Sequence, residues 1–137
     1  MTGIVIDASI TAAWCFEEDQ TEAARQLLGR SQEFIFNAPL IWPLEMTNVL
    51  LVNERRRRIT AADTVRFVGL LKELAIQVDR PSAMHPFDST LALARQYSLS
   101  AYDAAYLELA IRKGISLATL DRALRNAASA AGIATAF

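Results

Sequence analysis

Cysteine and histidine are almost absent from this chain of 137 residues, which has one of each, Cys15 and His85. A single cysteine excludes a disulfide framework and a cysteine-based zinc site. A single histidine argues against histidine-rich metal sites, and against a nuclease that uses one imidazole as general acid and another as general base. Any catalysis by this chain therefore has to use other side chains.

Long apolar runs are also missing, although hydrophobic residues make up 53% of the chain. No run approaches the roughly 18 residues that a membrane-spanning helix needs. The first residues carry no basic segment followed by a cleavage site, because a strand pattern is already present at Ile4. We therefore expect a cytoplasmic protein that forms a single domain over residues 1–137, with a hydrophobic core of its own.

Lysine is scarce, since only Lys72 and Lys113 occur, and the net charge is −1. A chain with this charge is not a polycation that wraps nucleic acid. The other basic residues are arginines, which are better bidentate partners for phosphate and carboxylate groups. Four of them form the run Arg55–Arg58. This run is either a solvated helix end, where cations suit the macrodipole, or a surface that holds RNA phosphates.

Short apolar strands alternate with helices along the chain. The strand patterns are GIVID, EFIFNA, IQVD, ISLATL and a final IATAF. Among the helices, one within residues 20–30 has Thr21 as its expected N-cap, and another begins with a capping-box pattern at Thr60 and Asp63. The order favours an α/β fold, a three-layer α/β/α sandwich with a central, mostly parallel sheet of about five short strands.

Four acidic residues are expected at one edge of this sheet. Asp7 follows the first strand, and Asp121 follows the strand ISLAT. Glu45 and Asp103 each lie in the first turn of a helix, the former after EFIFNA and the latter before ISLAT. A helix that runs antiparallel to the next strand begins at the edge where that strand ends. All four acids therefore fall at the carboxyl ends of the strands, where parallel sheets bind their ligands.

Each acid taken alone has a structural interpretation as well. Asp7 and Asp121 are placed as helix N-caps, Glu45 suits the helix dipole, and Asp103 completes a capping-box spacing with Ser100. Taken together, however, converging carboxylates repel one another, and the helix around Asp103 is apolar on nearly all sides, which predicts burial. A hard divalent cation removes this conflict, and its preferred ligands are carboxylate and water oxygens. We therefore predict a Mg²⁺ or Mn²⁺ site.

The motifs around these acids resemble those of PIN domains, and more narrowly those of VapC-type toxin ribonucleases. The match covers essentially the whole chain, and YDAAYLELA followed by TLD is its most specific part. The matching segments are VIDAS with Asp7 and Ser9, PLEMTNVL with Glu45 and Asn48, SAYDAAYLELA with Asp103, and LATLDRAL with Thr119 and Asp121. The resemblance implies a Mg²⁺- or Mn²⁺-dependent endoribonuclease that acts on RNA, forms a homodimer and is inhibited by an antitoxin encoded with it.

The same resemblance implies roles for individual residues. The catalytic and metal-binding set is Asp7, Glu45, Asp103 and Asp121. Ser9 and Thr119 match hydroxyl positions that support the acids, and Asn48 lies one helical turn after Glu45, towards the same cleft. Some family members have a further acid after the last one, but Arg122 and Leu124 stand here, which leaves the number of metal ions open. Arg122 and Arg125 are expected to contact the RNA backbone.

The chemistry that these residues permit is hydrolysis of a phosphodiester bond by metal-activated water. Glu45 either binds the metal or orients the water, and both roles remain open. Three other function classes are considered. A haloacid-dehalogenase-like phosphatase needs the pattern Asp-x-Asp after the first strand, where this chain has Asp7-Ala8-Ser9. A receiver-like phosphoacceptor signalling domain needs a lysine after a late strand, and neither lysine lies there. A non-catalytic binding protein with the same fold has no need for the intact acidic set.

Overall fold

The structure is a computed structural model that describes residues 1–16 and 21–137. Gln20, which the sequence pattern assigned to the start of a helix, lies outside the described residues. The remainder of that predicted helix is present as α2 (Glu22–Gly29), and the side chain of Thr21 caps it by accepting a hydrogen bond from the amide of Ala24. The N-cap prediction for Thr21 is therefore confirmed.

Four parallel strands form the sheet within the described part of the chain. They are β1 (Thr2–Ile6), β2 (Phe34–Ala38), β3 (Gln77–Val78) and β4 (Ser116–Ala118), in the order β3-β2-β1-β4. The central strand β1 pairs Ile4 with Phe36 on one side and with Ser116 on the other. Because all pairings are parallel, the carboxyl ends of the strands meet at one edge.

Helices lie in every connection between these strands, as the sequence pattern predicted, and one more follows β4. Besides α2 they are α1 (Ala8–Cys15), α3 (Trp42–Arg55), α4 (Ala61–Glu73), α5 (Ser89–Tyr97), α6 (Ala101–Lys113) and α7 (Arg122–Ala130). Short 3₁₀ turns lie at Ser31–Glu33 and His85–Phe87. The capping box between Thr60 and Asp63 is present at the start of α4, which confirms that prediction.

Helix α6 lies at the centre of the hydrophobic core. It packs against β1, β4, α5 and α7, and its buried residues include Ala104, Leu107 and Leu109. Tyr106 is the largest fully buried side chain in the described residues, with 1% of its surface exposed. The predicted burial of this helix is confirmed for most of its apolar residues, whereas Tyr102 and Ile111 are exposed.

The predicted fifth strand, IATAF, is wrong. Thr135 forms a single isolated bridge with Leu117, and Leu117 exchanges backbone hydrogen bonds with Ala134 and Ala136. Strand β4 has only three residues, so its outer edge offers little backbone for a further strand to pair with. The sheet over residues 1–16 and 21–137 therefore has four strands instead of about five.

Within the described ranges, no helix has both the length and the apolar composition that crossing a bilayer would require.

Candidate active site

Asp7 occupies the point where β1 ends and α1 begins. Its Oδ1 accepts hydrogen bonds from the amide of Ile10 at 3.1 Å and from the hydroxyl of Ser9 at 2.6 Å. Its Oδ2 accepts a hydrogen bond from the hydroxyl of Thr119. Only 6% of the residue is exposed. Burial raises the pKa of Asp7 although these hydrogen bonds lower it, and the negative charge of Asp103 raises it further.

Thr119 and Ser9 connect the end of β4 to Asp7. The hydroxyl oxygen of Thr119 accepts a hydrogen bond from the amide of Asp121 at 3.0 Å, and that of Ser9 accepts one from the amide of Leu120 at 2.9 Å. Both hydroxyl hydrogens are donated to Asp7. The two residues that the sequence placed beside the acids therefore lie there and fix the orientation of the Asp7 carboxylate.

Asp103 and Asp121 lie at the N-termini of α6 and α7. Burial raises the pKa of Asp103, and the charge of Asp121 raises it further, against a hydrogen bond from Ser100 that lowers it. Asp121 also caps α7, because its Oδ2 accepts a hydrogen bond from the amide of Leu124 at 3.0 Å. The capping interpretation is thus correct for Asp121 as it is for Asp7, and each carboxylate keeps one oxygen that is not used by its cap.

Glu45 lies in the first turn of α3, half-buried. Its Oε1 accepts a hydrogen bond of 2.6 Å from the hydroxyl of Tyr106 on α6. Burial raises the pKa of Tyr106 well above its usual range, and the hydrogen bond to Glu45 and the negative charges of Glu45, Asp7 and Asp103 raise it further. Tyr106 therefore links Glu45 to the other acids of the site.

The donor chemistry of this site fits a hard divalent cation. No lysine, arginine or histidine among the described residues forms an ion pair with any of the four acids. Within those residues no group of three or more aspartate, glutamate, histidine or cysteine side chains is arranged so that it could hold a metal ion by itself. Mg²⁺ does not require such a group, since it is usually held by one or two carboxylates together with waters and substrate phosphates. The set fits an open Mg²⁺ site that is completed by water and substrate.

The asparagine and arginines that the sequence analysis named make no side-chain hydrogen bond to the four acids within the described residues. Asn48 is exposed, and its side chain makes no hydrogen bond to the described acids. Arg122 is exposed at the start of α7. Arg125 is half-buried, donates a hydrogen bond of 3.0 Å to the carbonyl of Thr119, and has a buried Nε without a partner in the described residues. The Arg55–Arg58 run lies at the opposite end of α3 from Glu45.

Tyr106 is a site residue that the sequence reasoning missed. The apolar pattern of the helix around Asp103 predicts only that Tyr106 is buried, and its ring does lie in the core. The available signal was its position, because a residue three places after Asp103 lies on the same side of the helix. A tyrosine there directs its one polar atom towards whatever the aspartate faces.

Comparisons with known proteins agree with this architecture. Residues 4–130 match the family model of the PIN domain. The chain is 30% identical over 121 residues to ribonuclease VapC3 of Pyrobaculum aerophilum, an alignment that covers 88% of this chain and 91% of that protein.

Two solved structures share the fold. The crystal structure of PAE2754 from Pyrobaculum aerophilum has a TM-score of 0.70 at 21% identity and covers 92% of this chain and 84% of its own. Mycobacterium tuberculosis VapC20, described as a toxin that cleaves the sarcin-ricin loop, has a TM-score of 0.68 at 21% identity, with 95% of each chain covered. The predicted α/β sandwich is thereby confirmed. The family match and the VapC3 relative establish that the chain belongs to the PIN domain family, where it is similar to VapC-type toxin ribonucleases.

Proposed function

We propose that this protein is a Mg²⁺-dependent endoribonuclease, the toxin of a VapBC-type toxin-antitoxin module. The observation that carries the proposal is the environment of Asp7. A buried carboxylate at the end of a strand, held by Ser9 and Thr119 and facing Asp103 without a basic partner in the described residues, is costly unless a cation compensates it. The resemblance to ribonuclease VapC3 supports RNA as the substrate class.

In this proposal the acids bind the cation or orient water, and the hydroxyl groups support one of the acids. Asp7, Asp103 and Asp121 hold the cation, Mg²⁺ or Mn²⁺, directly or through water. When bound, the cation supplies an activated water and charge stabilisation on the scissile phosphate. Ser9 and Thr119 keep the Asp7 carboxylate oriented, and Glu45 binds the cation or orients the attacking water. Water rather than the ribose 2′-hydroxyl is the nucleophile, since no pair of histidines is present to act as acid and base.

The partners in this proposal are RNA, a cognate antitoxin and a second copy of the chain, in the cytoplasm. Support for the second copy comes from exposed apolar side chains on two neighbouring segments. Leu40 and Leu44 lie at the start of α3, and Met84 and Phe87 precede α5. Leu40 and Leu44 line a cavity of about 350 Å³ together with His85 and Pro86, the two residues between Met84 and Phe87. Contiguous exposed apolar surface of this kind is typical of protein interfaces.

The experiment compares RNA cleavage by the wild-type protein and by Asp7→Asn, each with Mg²⁺ or with EDTA. We expect the wild type to cleave RNA with Mg²⁺ and not with EDTA. Asp7→Asn should not cleave under either condition, because the amide that replaces the carboxylate has a similar shape but is a poor Mg²⁺ ligand. Asp88→Asn is a matched control, since Asp88 is exposed at the start of α5 and caps it without a side-chain hydrogen bond. Wild-type cleavage in EDTA, or full activity of Asp7→Asn, would contradict the proposal.

A further inference from the structure

The side chain of Tyr106 spans the core and ends among the acids. It is fully buried, so its ring is held by packing in one position. It lies three residues after Asp103 on α6, and therefore on the same side of the helix. A buried tyrosine hydroxyl needs a hydrogen-bond partner, and here that partner is Oε1 of Glu45 at 2.6 Å.

The hydrogen bond from Tyr106 is the side-chain contact that orients Glu45 within the described residues. Glu45 stands in the first turn of α3 and is half-buried, and a glutamate side chain has three rotatable bonds. Its Oε2 has no hydrogen-bond partner in residues 1–16 and 21–137, whereas Oε1 is taken by Tyr106. The contact joins two helices across 61 positions of sequence. One carboxylate oxygen is therefore held by Tyr106, and the other is free of hydrogen bonds within the described residues.

We infer that Tyr106 is a positioning residue for the proposed metal centre, and that it fixes Glu45 so that Oε2 serves the cation or a water bound to it. This inference rests on the proposed function. It also distinguishes Glu45 from Asp7: the Asp7 carboxylate is oriented by two hydroxyl groups and a backbone amide, while Glu45 depends on one tyrosine. Removal of that hydroxyl releases the carboxylate to rotate into several orientations, only some of which face the site.

The test measures Mn²⁺ affinity by isothermal titration calorimetry, without RNA. Tyr106→Phe keeps the buried ring and removes only the hydroxyl, and we expect it to weaken Mn²⁺ binding by about tenfold, as is typical when a group that orients a metal ligand is removed. Tyr97→Phe is the matched control, because the hydroxyl of Tyr97 contacts Gln96 on α5 and none of the acids. It should bind Mn²⁺ as the wild type does.

A second variant makes the test independent of how well Tyr106→Phe folds. Glu45→Asp keeps the charge and Tyr106 but withdraws the carboxylate by one methylene group, out of reach of the hydroxyl, and should lose about as much Mn²⁺ affinity. In RNA cleavage, Tyr106→Phe should lower kcat and leave KM unchanged. A purely structural role would instead lower the melting temperature and leave Mn²⁺ affinity as it is.

The outcomes separate the two proposals. If the wild type binds Mn²⁺ and a folded Tyr106→Phe binds it equally well, the role of Tyr106 is overturned, whatever Glu45→Asp does, and the proposed nuclease stands. If Tyr106→Phe does not fold, wild-type Mn²⁺ affinity of Glu45→Asp overturns this role instead. If the wild type neither binds Mn²⁺ nor cleaves RNA, the proposed function is overturned, and the role of Tyr106 with it.

Discussion

The hydroxyl group of Thr119 donates a hydrogen bond to Asp7, which lies 112 positions earlier in the chain. The same oxygen accepts the backbone N–H of Asp121 at 3.0 Å. One buried side chain therefore connects the ends of β1 and β4 and contacts two of the four acids. A residue in this position affects both the orientation of Asp7 and the backbone that carries Asp121.

The first prediction concerns this contact. Thr119→Val has nearly the same shape but removes the hydroxyl, so Asp7 loses a donor and the amide of Asp121 loses its acceptor. We expect the free energy of unfolding to fall by about 1–3 kcal/mol, the cost of unsatisfied buried polar groups, and Mn²⁺ affinity to fall by about tenfold. Chemical denaturation and calorimetry measure the two effects. Thr119→Ser restores the hydroxyl and should recover both; a valine variant with wild-type affinity would contradict this role.

The second prediction concerns the charge on Asp7. Burial raises the pKa of Asp7, so the charged carboxylate destabilises the folded state in the absence of metal. Asp7→Asn should therefore melt at a higher temperature than the wild type at pH 7.5 in EDTA. Each 1 kcal/mol added to the free energy of unfolding raises the melting temperature by about 3–5 °C for a domain of this size. Differential scanning fluorimetry measures the difference.

The pH dependence of this difference has a defined sign. A carboxyl group with a raised pKa in the folded state becomes protonated as the pH falls through that pKa, and the penalty is then lost. The advantage of Asp7→Asn should be complete above the raised pKa and vanish as the pH approaches the ordinary aspartate pKa of about 3.9. An advantage that persisted below that pH would show that it does not come from the charge.

Much of the fold was readable from the sequence because its signals are local. Thr21, Thr60 and Asp63 act within one helical turn, and the apolar pattern of α6 predicted its burial. The placement of Asp7 and Asp121 followed from strand direction alone. The strand prediction for IATAF is wrong because a strand needs a neighbouring strand of sufficient length to pair with. Strand β4 has three residues, and only one bridge forms there.

Other features depend on tertiary packing and have no local signal. The hydrogen bond from Tyr106 to Glu45 forms only when the folded chain brings these two residues of α6 and α3 within reach of each other. The guanidinium of Arg125 donates a hydrogen bond to the carbonyl of Thr119, six positions earlier in the chain. Interactions of this kind are decided by rotamers in a packed core, which the order of residues does not specify.

The third prediction concerns Glu108 on α6, which forms ion pairs with Arg112 and with His85 in the segment before α5. Burial by itself raises the pKa of Glu108, but hydrogen bonds from Arg112 and His85 outweigh it and leave this pKa below its ordinary value. The stability that Glu108 adds is therefore present above the ordinary glutamate pKa of about 4.3 and is lost as the pH falls through the lowered pKa. We expect Glu108→Gln to reduce the free energy of unfolding at pH 7 by about 1–3 kcal/mol.

Urea denaturation from pH 7 to pH 3 measures this effect, and the difference from the wild type should shrink below about pH 4.3. Glu73→Gln is the control, because Glu73 is exposed at the end of α4. A difference between Glu108→Gln and the wild type that stayed constant at acid pH would mean that packing, and not the ion pair, accounts for it.

The fourth prediction concerns assembly. The apolar residues of α6 are mostly buried in the monomer and leave little surface for a dimer. The exposed apolar side chains Leu44 and Phe87 are the better candidates. We expect a dimer at micromolar concentration by sedimentation velocity, and a monomer for Leu44→Glu, whereas the control Val65→Glu on exposed α4 should remain a dimer. A monomeric wild type, or a dimeric Leu44→Glu, would place any interface elsewhere.

The last prediction separates Arg122 from Arg125. Arginines that bind phosphates add affinity without sequence choice, and removing one such arginine should reduce the slope of log affinity against log salt by about 0.7 for single-stranded RNA. Arg122 is exposed beside Asp121, so Arg122→Ala should flatten the slope by this amount and leave the melting temperature unchanged. Arg125 also supports the Thr119 carbonyl, so Arg125→Ala should flatten the slope and lower the melting temperature as well.

Binding is measured in the Asp7→Asn background at several salt concentrations, and cleavage positions are mapped with Asp7 intact. Arg55→Ala is the matched control: from position 45 to position 55 helix α3 rises about 15 Å at about 1.5 Å per residue, which places Arg55 far from the acids. Its slope and the cleavage position should match the wild type. A flattened slope for Arg55→Ala together with a normal one for Arg122→Ala would reverse the assignment. The RNA would then cross the C-terminal end of α3, and the role of Arg125 would be limited to its hydrogen bond with the carbonyl of Thr119.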